Sequence, residues 1–259
     1  MRNLARKRKR TAGQRYLMWA IIALLVLAAL FYAGDWYSKY TTRIGVIRVS
    51  GSIDDFTYAD QAYDALRDPN IKAVVVVVDS PGGTVQASFE TEAMLRELNM
   101  KKPVVVTMGE YAASGAYLVS TASDYIFARS ATVTAGLGVI AVWVSYENKW
   151  KGEGIEYYRW TSGEMKDLWA PYRSPTPEES VELQSLVDNL MNDVIARIKI
   201  NRPQVVNIEE LRDGSTIWGY EALPYRLVDE IGDYEGALYK AAELADLEEG
   251  SYTVVELTS

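Results

Sequence analysis

The run Ile71-Lys-Ala-Val-Val-Val-Val-Val78 constrains this chain more than any other stretch, because its five consecutive valines leave no polar face. β-Branched side chains favour extended backbone, and a strand without apolar/polar alternation has to be covered on both faces, as inside a parallel sheet. Asp79-Ser-Pro-Gly-Gly83 ends the run with turn residues. Around it the pattern alternates: a strand at 44–49, a helix at 58–67 closed by Asp68-Pro69, a helix at 87–98 and a strand at 103–108. A helix follows Ser114, and strands follow at 125–128 and 138–144. Such alternation predicts an α/β fold with a mostly parallel sheet and flanking helices. Thr176-Pro-Glu-Glu179 is a capping box with proline at the first helical position, and the apolar stripe through Leu183, Leu186, Val187, Leu190, Met191, Val194 and Ile198 carries that helix to about residue 200. A short helix at 208–212, a small segment around Trp218 and a last helix at 234–247 complete the pattern.

The N-terminal end obeys different rules. Residues 16–33 are uncharged and mostly apolar; 18 residues at about 1.5 Å each just cross a hydrocarbon layer of roughly 30 Å. Tyr16 and Trp19 flank the run on one side, and Tyr32, Trp36 and Tyr37 on the other. A cleaved secretory signal is the competing reading, but no Ala-x-Ala site follows and the run is long for a signal's apolar region. Seven of the 27 basic residues and none of the 35 acidic ones lie within residues 1–34, so the basic end is expected in the cytoplasm and the acidic remainder outside. An acidic body also argues against nucleic acid as a partner. The expected organisation is a cytoplasmic basic N-terminus (1–15), a transmembrane anchor (16–33), a linker (34–42) and one α/β domain (43–259).

Composition then limits the chemistry. The chain has no histidine and no cysteine, which excludes a Ser-His-Asp triad, a cysteine nucleophile and the common zinc sites; no metal or cofactor is expected. Ser114 lies at a strand-to-helix turn among Ala112, Ala113, Gly115 and Ala116, where the first helical N–H groups have no intrahelical partner and can face a developing anion. Two readings stand: a nucleophile beside an oxyanion hole, or an N-cap serine where a helix packs closely on a sheet. The turn at 80–83 is either a second source of oxyanion donors or a plain tight connection. Of eleven lysines, Lys166 differs in lying among Trp160, Met165, Leu168 and Trp169, which could cover it and lower its pKa so that it acts as a base; Glu164 and Asp167 oppose that shift unless they turn away. The plain alternative is a surface lysine.

Asp79-Ser-Pro-Gly-Gly83, Ala112-Ala-Ser-Gly115, Thr132-Val-Thr-Ala-Gly-Leu-Gly-Val-Ile140 and Ser162-Gly-Glu-Met-Lys166 together resemble the SppA-type signal peptide peptidases in their short, one-domain form. The similarity runs from about residue 43 to 247. It implies a ClpP/crotonase-like fold of repeated β-β-α units, with Ser114 as nucleophile, Lys166 as general base, and Gly83 and Gly115 as oxyanion-hole donors. It also implies remnant signal peptides or other short unfolded peptides as substrates, cut at the outer membrane face, and a homo-oligomeric ring. Ala135-Gly136 departs from the family, which usually has Gly-Ser there; that serine hydrogen-bonds the catalytic lysine, and Gly136 has no side chain to do so. Thr134, Ser162 or water could substitute. Two alternatives follow: a scaffold that keeps the fold without the chemistry, and a crotonase-like acyl-CoA enzyme, which would not need the anchor.

Overall fold

A computed structural model describes residues 12–258. It opens with helix α1 (Ala12–Thr41), whose segment Arg15–Gly34 is long and apolar enough to cross a membrane and is left unburied by the described residues. The basic residues before Ala12, assigned from sequence to the cytoplasm, lie outside the described residues. Residues 34–41, read as linker, continue the helix directly to strand β1.

The remainder is built on one sheet of eight strands. In chain order its elements are β1 (Arg43–Ser50), α2 (Thr57–Arg67), β2 (Ile71–Ser80), α3 (Val85–Asn99), β3 (Val104–Ala113), α4 (Gly115–Ser120), β4 (Tyr125–Ala128) and β5 (Val133–Ala135). After α5 (Glu147–Gly152) come α6 (Pro177–Asn201), β6 (Thr216–Trp218), α7 (Gly219–Ala222), β7 (Glu230–Ile231), α8 (Tyr234–Leu244) and β8 (Thr253–Glu256). The main path runs β6-β5-β3-β2-β1-β8, and β4 with β7 attaches along the first half of β3. Only the β5–β6 pair is antiparallel.

The valine strand lies in the middle of this sheet and is covered on both faces, as its composition demands. Val74, Val76 and Val78 enter the larger core beneath α2, α3, α4 and α6, while Ala73 and Val75 enter a second core beneath α8 with Phe127, Ala237 and Ala241. Each fully buried valine contributes roughly 1.5–3 kcal/mol. The α6 capping box forms as its sequence specifies: Thr176 Oγ1 accepts from Glu179 N–H, and the Glu179 carboxylate accepts from Thr176 N–H.

Three features differ from the sequence pattern. The strand expected at 138–144 does not form; the short strand β5 ends instead at Ala135, because Ala135 and Gly136 both have left-handed backbone (φ 63° and 58°) that turns the chain out of the sheet. Strand β3 continues five residues past Met108, through an irregularity, to Ala113. Strand β8, which the pattern did not indicate, pairs with β1 and is fastened there by Arg48 to Glu256.

Candidate active site

Ser114 stands at the junction of β3 and α4 with φ 55° and ψ −126°. Side chains resist this backbone conformation, and holding it costs of order 1–3 kcal/mol, so the surroundings must impose it. They do so at both ends of the residue: Ser114 N–H donates to Ala135 C=O (2.7 Å) and Ser114 C=O accepts from Leu118 N–H (3.1 Å). The turn also nests against Gly82, where an added Cβ would lie 2.9 Å from both Ser114 Cβ and Gly115 N. The N-cap alternative does not hold, since the Ser114 side chain makes no capping hydrogen bond. A strained strand-to-helix elbow whose hydroxyl has no hydrogen-bond partner among the described residues is the arrangement that displays a nucleophilic serine at the end of a sheet.

The neighbouring amides follow from peptide geometry. Gly82 C=O accepts from Ile53 N–H (2.9 Å), and Thr84 N–H donates to Ile53 C=O (3.0 Å). In a planar trans peptide the C=O of Gly82 and the N–H of Gly83 point opposite ways, so the Gly83 N–H faces away from Ile53. Gly115 is on that side: its ideal Cβ position is 3.5 Å from Gly83 N. Neither the Gly83 nor the Gly115 N–H has a hydrogen-bond partner among the described residues. Gly83 requires glycine, because a Cβ would sit 2.1 Å from the backbone oxygen of Ile53; at Gly115 a Cβ would sit 2.1 Å from Ser88 Oγ, which would have to turn away. Two unpaired donors beside an unengaged hydroxyl can stabilise an oxyanion formed on that oxygen's target.

Two clefts meet at Ser114, separated by the segment 136–140. One is narrow, about 30 Å³, and is lined mainly by apolar side chains, Val85, Phe89, Leu118, Leu137, Val139 and Val194. The other, about 580 Å³ and more open, is lined by Ile140, Val187 and Met191 together with Asp188, Arg212 and Asp213. An extended chain laid across Ser114 would thus meet an apolar pocket on one side and a mixed cleft on the other.

Lys166 is not brought to this place. It lies on a short 3₁₀ turn (Glu164–Asp167), is exposed, and lines neither cleft. Nor is it covered as its sequence surroundings suggested: Trp160 is 88% exposed, and Met165 and Trp169 are also exposed. The opposing carboxylate is nonetheless accounted for. Asp167 is buried and committed elsewhere, to Arg159, to Arg173 through both oxygens (2.8 and 3.0 Å) and to Tyr172 Oη (3.1 Å). Arg173 also forks onto Glu179 (2.6 and 2.5 Å), holding that carboxyl well below the usual range, and lies 5.2 Å from the Trp143 ring centre. The turn carrying Lys166 is therefore moored to the first turn of α6. The capping box was visible in sequence; the Asp167-Arg173-Glu179 cluster was not, because pairing between irregular segments has no periodicity.

Gly136, where the family resemblance leads to an expected serine, adjoins Ser114. A Cβ there would lie 3.6 Å from Ser114 N and 3.1 Å from Thr216 Cγ2, on left-handed backbone. Of the substitutes, Thr134 Oγ1 is buried and donates to Ala112 C=O (2.8 Å), whereas Ser162 is exposed.

Comparison with known proteins identifies the relatives of this chain. Residues 96–248 match the sequence profile of Peptidase family S49. A relative in Methanocaldococcus jannaschii named for protease activity is 32% identical over 222 residues, covering 85% of this chain and 71% of its own. Protease 4 of Salmonella typhi is 34% identical over 201 residues; the match spans 77% of this chain but only 32% of that protein. The chloroplastic serine protease SPPA of Arabidopsis thaliana is 26% identical over 236 residues, 83% of this chain and 34% of its own. Among solved structures, a mutant of ClpP1 from Listeria monocytogenes superposes with a TM-score of 0.50 at 16% identity, over 74% of this chain and 94% of its own, which shows a common fold. The chain belongs to Peptidase family S49.

Proposed function

We propose that this protein is a membrane-anchored serine endopeptidase in which Ser114 is the nucleophile, Lys166 the general base, and the Gly83 and Gly115 N–H groups the oxyanion hole. The observation that carries the reading is the Ser114 elbow: a strained backbone and an unengaged hydroxyl beside two unpaired N–H groups. Neutral Lys166 takes the Ser114 proton as Oγ attacks the scissile carbonyl, and the two amides hold the resulting oxyanion. The tetrahedral intermediate collapses with transfer of that proton to the leaving amine, and water then hydrolyses the ester by the same route. The family assignment leaves the acyl-CoA alternative without support.

Lys166 reaches Ser114 on assembly. The segment that carries it exposes Ile140, Val142, Val144, Tyr158 and Trp160, apolar side chains suited to contact with further copies of this chain in a ring. Burying that surface also desolvates Lys166 and favours its neutral form. The apolar cleft beside Ser114 suits short, mostly apolar peptides, and α1 keeps the site at the membrane; remnant signal peptides at the outer face have both properties. The test is to offer the protein a serine-directed phosphonate, map the adduct, and then mix Ser114→Ala with Lys166→Ala protein. An adduct on Ser114 and activity regained on mixing support the reading. No adduct and no cleavage of any unfolded peptide leave a scaffold with a vacant catalytic role.

A further inference from the structure

Asp79 lies where the two halves of the Ser114 site are joined. Its C=O accepts from Gly51 N–H (3.2 Å), so β2 remains paired to β1 at this point. On its other side the ladder is interrupted. Val78 pairs with Met108 and Ser80 with Ala112, so Gly109, Glu110 and Tyr111 of β3 stand opposite the single residue Asp79. An insertion of this kind leaves backbone N–H groups without ladder partners. Asp79 Oδ1 takes two of them, accepting from Glu110 N–H (3.1 Å) and Tyr111 N–H (3.0 Å). The backbone packs closely around the carboxyl, since a Cβ at Gly109 would lie 3.0 Å from Asp79 Cγ. Beyond Tyr111 the strand runs directly to Ser114, and beyond Asp79 the chain runs directly to Gly83.

We propose that Asp79 is a positioning residue for the reaction: its carboxylate sets how far β3 advances past β2, and so fixes the Ser114 hydroxyl against the Gly83 N–H. This rests on the reading of Ser114 as nucleophile and Gly83 as oxyanion donor. Two further observations bear on how it acts. The amides held by Asp79 are on exposed residues, so water can replace the carboxylate as their partner with little loss of stability. The irregularity is also held from the other side, where Thr132 Oγ1 donates to Gly109 C=O (2.7 Å), so it loosens without Asp79 and does not collapse. Water cannot, however, restore the spacing of two strands, and a displacement of about 1 Å at a reacting centre costs roughly 10²-fold in rate. The role needs an acceptor oxygen at the right distance and does not need charge.

The experiment compares kcat and KM on one fluorogenic peptide for the full-length protein in detergent and for Asp79→Ala, Asp79→Glu and Asp79→Asn, with thermal unfolding of each. Asp79→Ala removes the acceptor and Asp79→Glu moves it by a methylene. Both should lower kcat about 10- to 100-fold with KM within about 2-fold. Asp79→Asn keeps an oxygen in place and should recover most of the rate. Asp79→Ala within about 3-fold of wild type, a loss confined to KM, or an asparagine variant as slow as alanine would each overturn the proposal. If Asp79→Ala fails to fold, the glutamate and asparagine variants decide by the same criteria. Wild-type protein that neither cleaves peptide nor forms a Ser114 adduct overturns the peptidase reading and this proposal with it, whereas active wild type with an indifferent Asp79 overturns this proposal alone.

Discussion

The two regions that carry the proposed chemistry are built in opposite ways. The Ser114 and Gly83 region lies at the ends of central strands, where φ values, glycine contacts and backbone pairing leave each donor one direction. The segment 136–175 has one short helix and one 3₁₀ turn, exposes most of its apolar side chains, and is moored chiefly by ion pairs around Arg173. The difference teaches where each kind of precision comes from. Oxyanion stabilisation needs dipoles fixed before reaction, which a packed sheet provides. A lysine base needs water removed from around it, which an exposed segment provides only when something covers it.

Substitutions at the two proposed catalytic positions should break the comparison most sharply. Ser114→Ala should lower kcat/KM by roughly 10³-fold or more with little change in Tm, since alanine fits among its small neighbours. Residual activity within a few-fold of wild type would remove Ser114 from the mechanism. Lys166→Arg should be as inactive as Lys166→Ala, a guanidinium being protonated throughout the accessible range. In wild type, kcat/KM should rise toward alkaline pH, because only a neutral lysine accepts the serine proton. A flat profile from about pH 6 to 10, with chemistry rate-limiting, points to a different base.

Stability separates the regions next. Gly83→Ala forces a methyl group against Ile53 O and should destabilise the domain by about 1–3 kcal/mol. Trp160→Ser, in the exposed segment, should stay within about 0.5 kcal/mol, as calorimetry of the dispersed protein can show.

Acid should act on the moored segment. The Glu179 carboxyl is depressed from 4.5 to about 2, chiefly by its hydrogen bonds from Arg173. A depressed carboxyl contributes stability above its unfolded pKa, and that contribution is lost as pH falls through the folded one. Order around Trp143 and Trp169 should therefore decline between about pH 4.5 and 2, and Arg173→Met should abolish this transition. Tryptophan fluorescence measures it; an identical transition in the variant would assign it elsewhere. The smallest effect on activity is expected for Gly136→Ser. Left-handed backbone and the nearby Thr216 methyl should cost about 1 kcal/mol, while activity per folded molecule stays equal or rises.

The sequence by itself determined the features whose cause is local or periodic. Five valines between turn residues sufficed for a central strand covered on both faces, and Thr176-Pro-Glu-Glu179 for the start of α6. The small-residue motifs carry the family resemblance that groups Ser114, Gly83 and Gly115, and these residues are neighbours in the structure. Only the tertiary structure decided the strain at Ser114, which Ala135 and Gly82 impose from elsewhere in the chain, and the direction of the Gly83 N–H, which Ile53 sets. It also decided that Lys166 lies apart from Ser114 in a single chain. Burial patterns are written residue by residue because each side chain carries its own transfer free energy; strain, amide direction and coverage arise from contacts between segments distant in sequence, which no local pattern encodes.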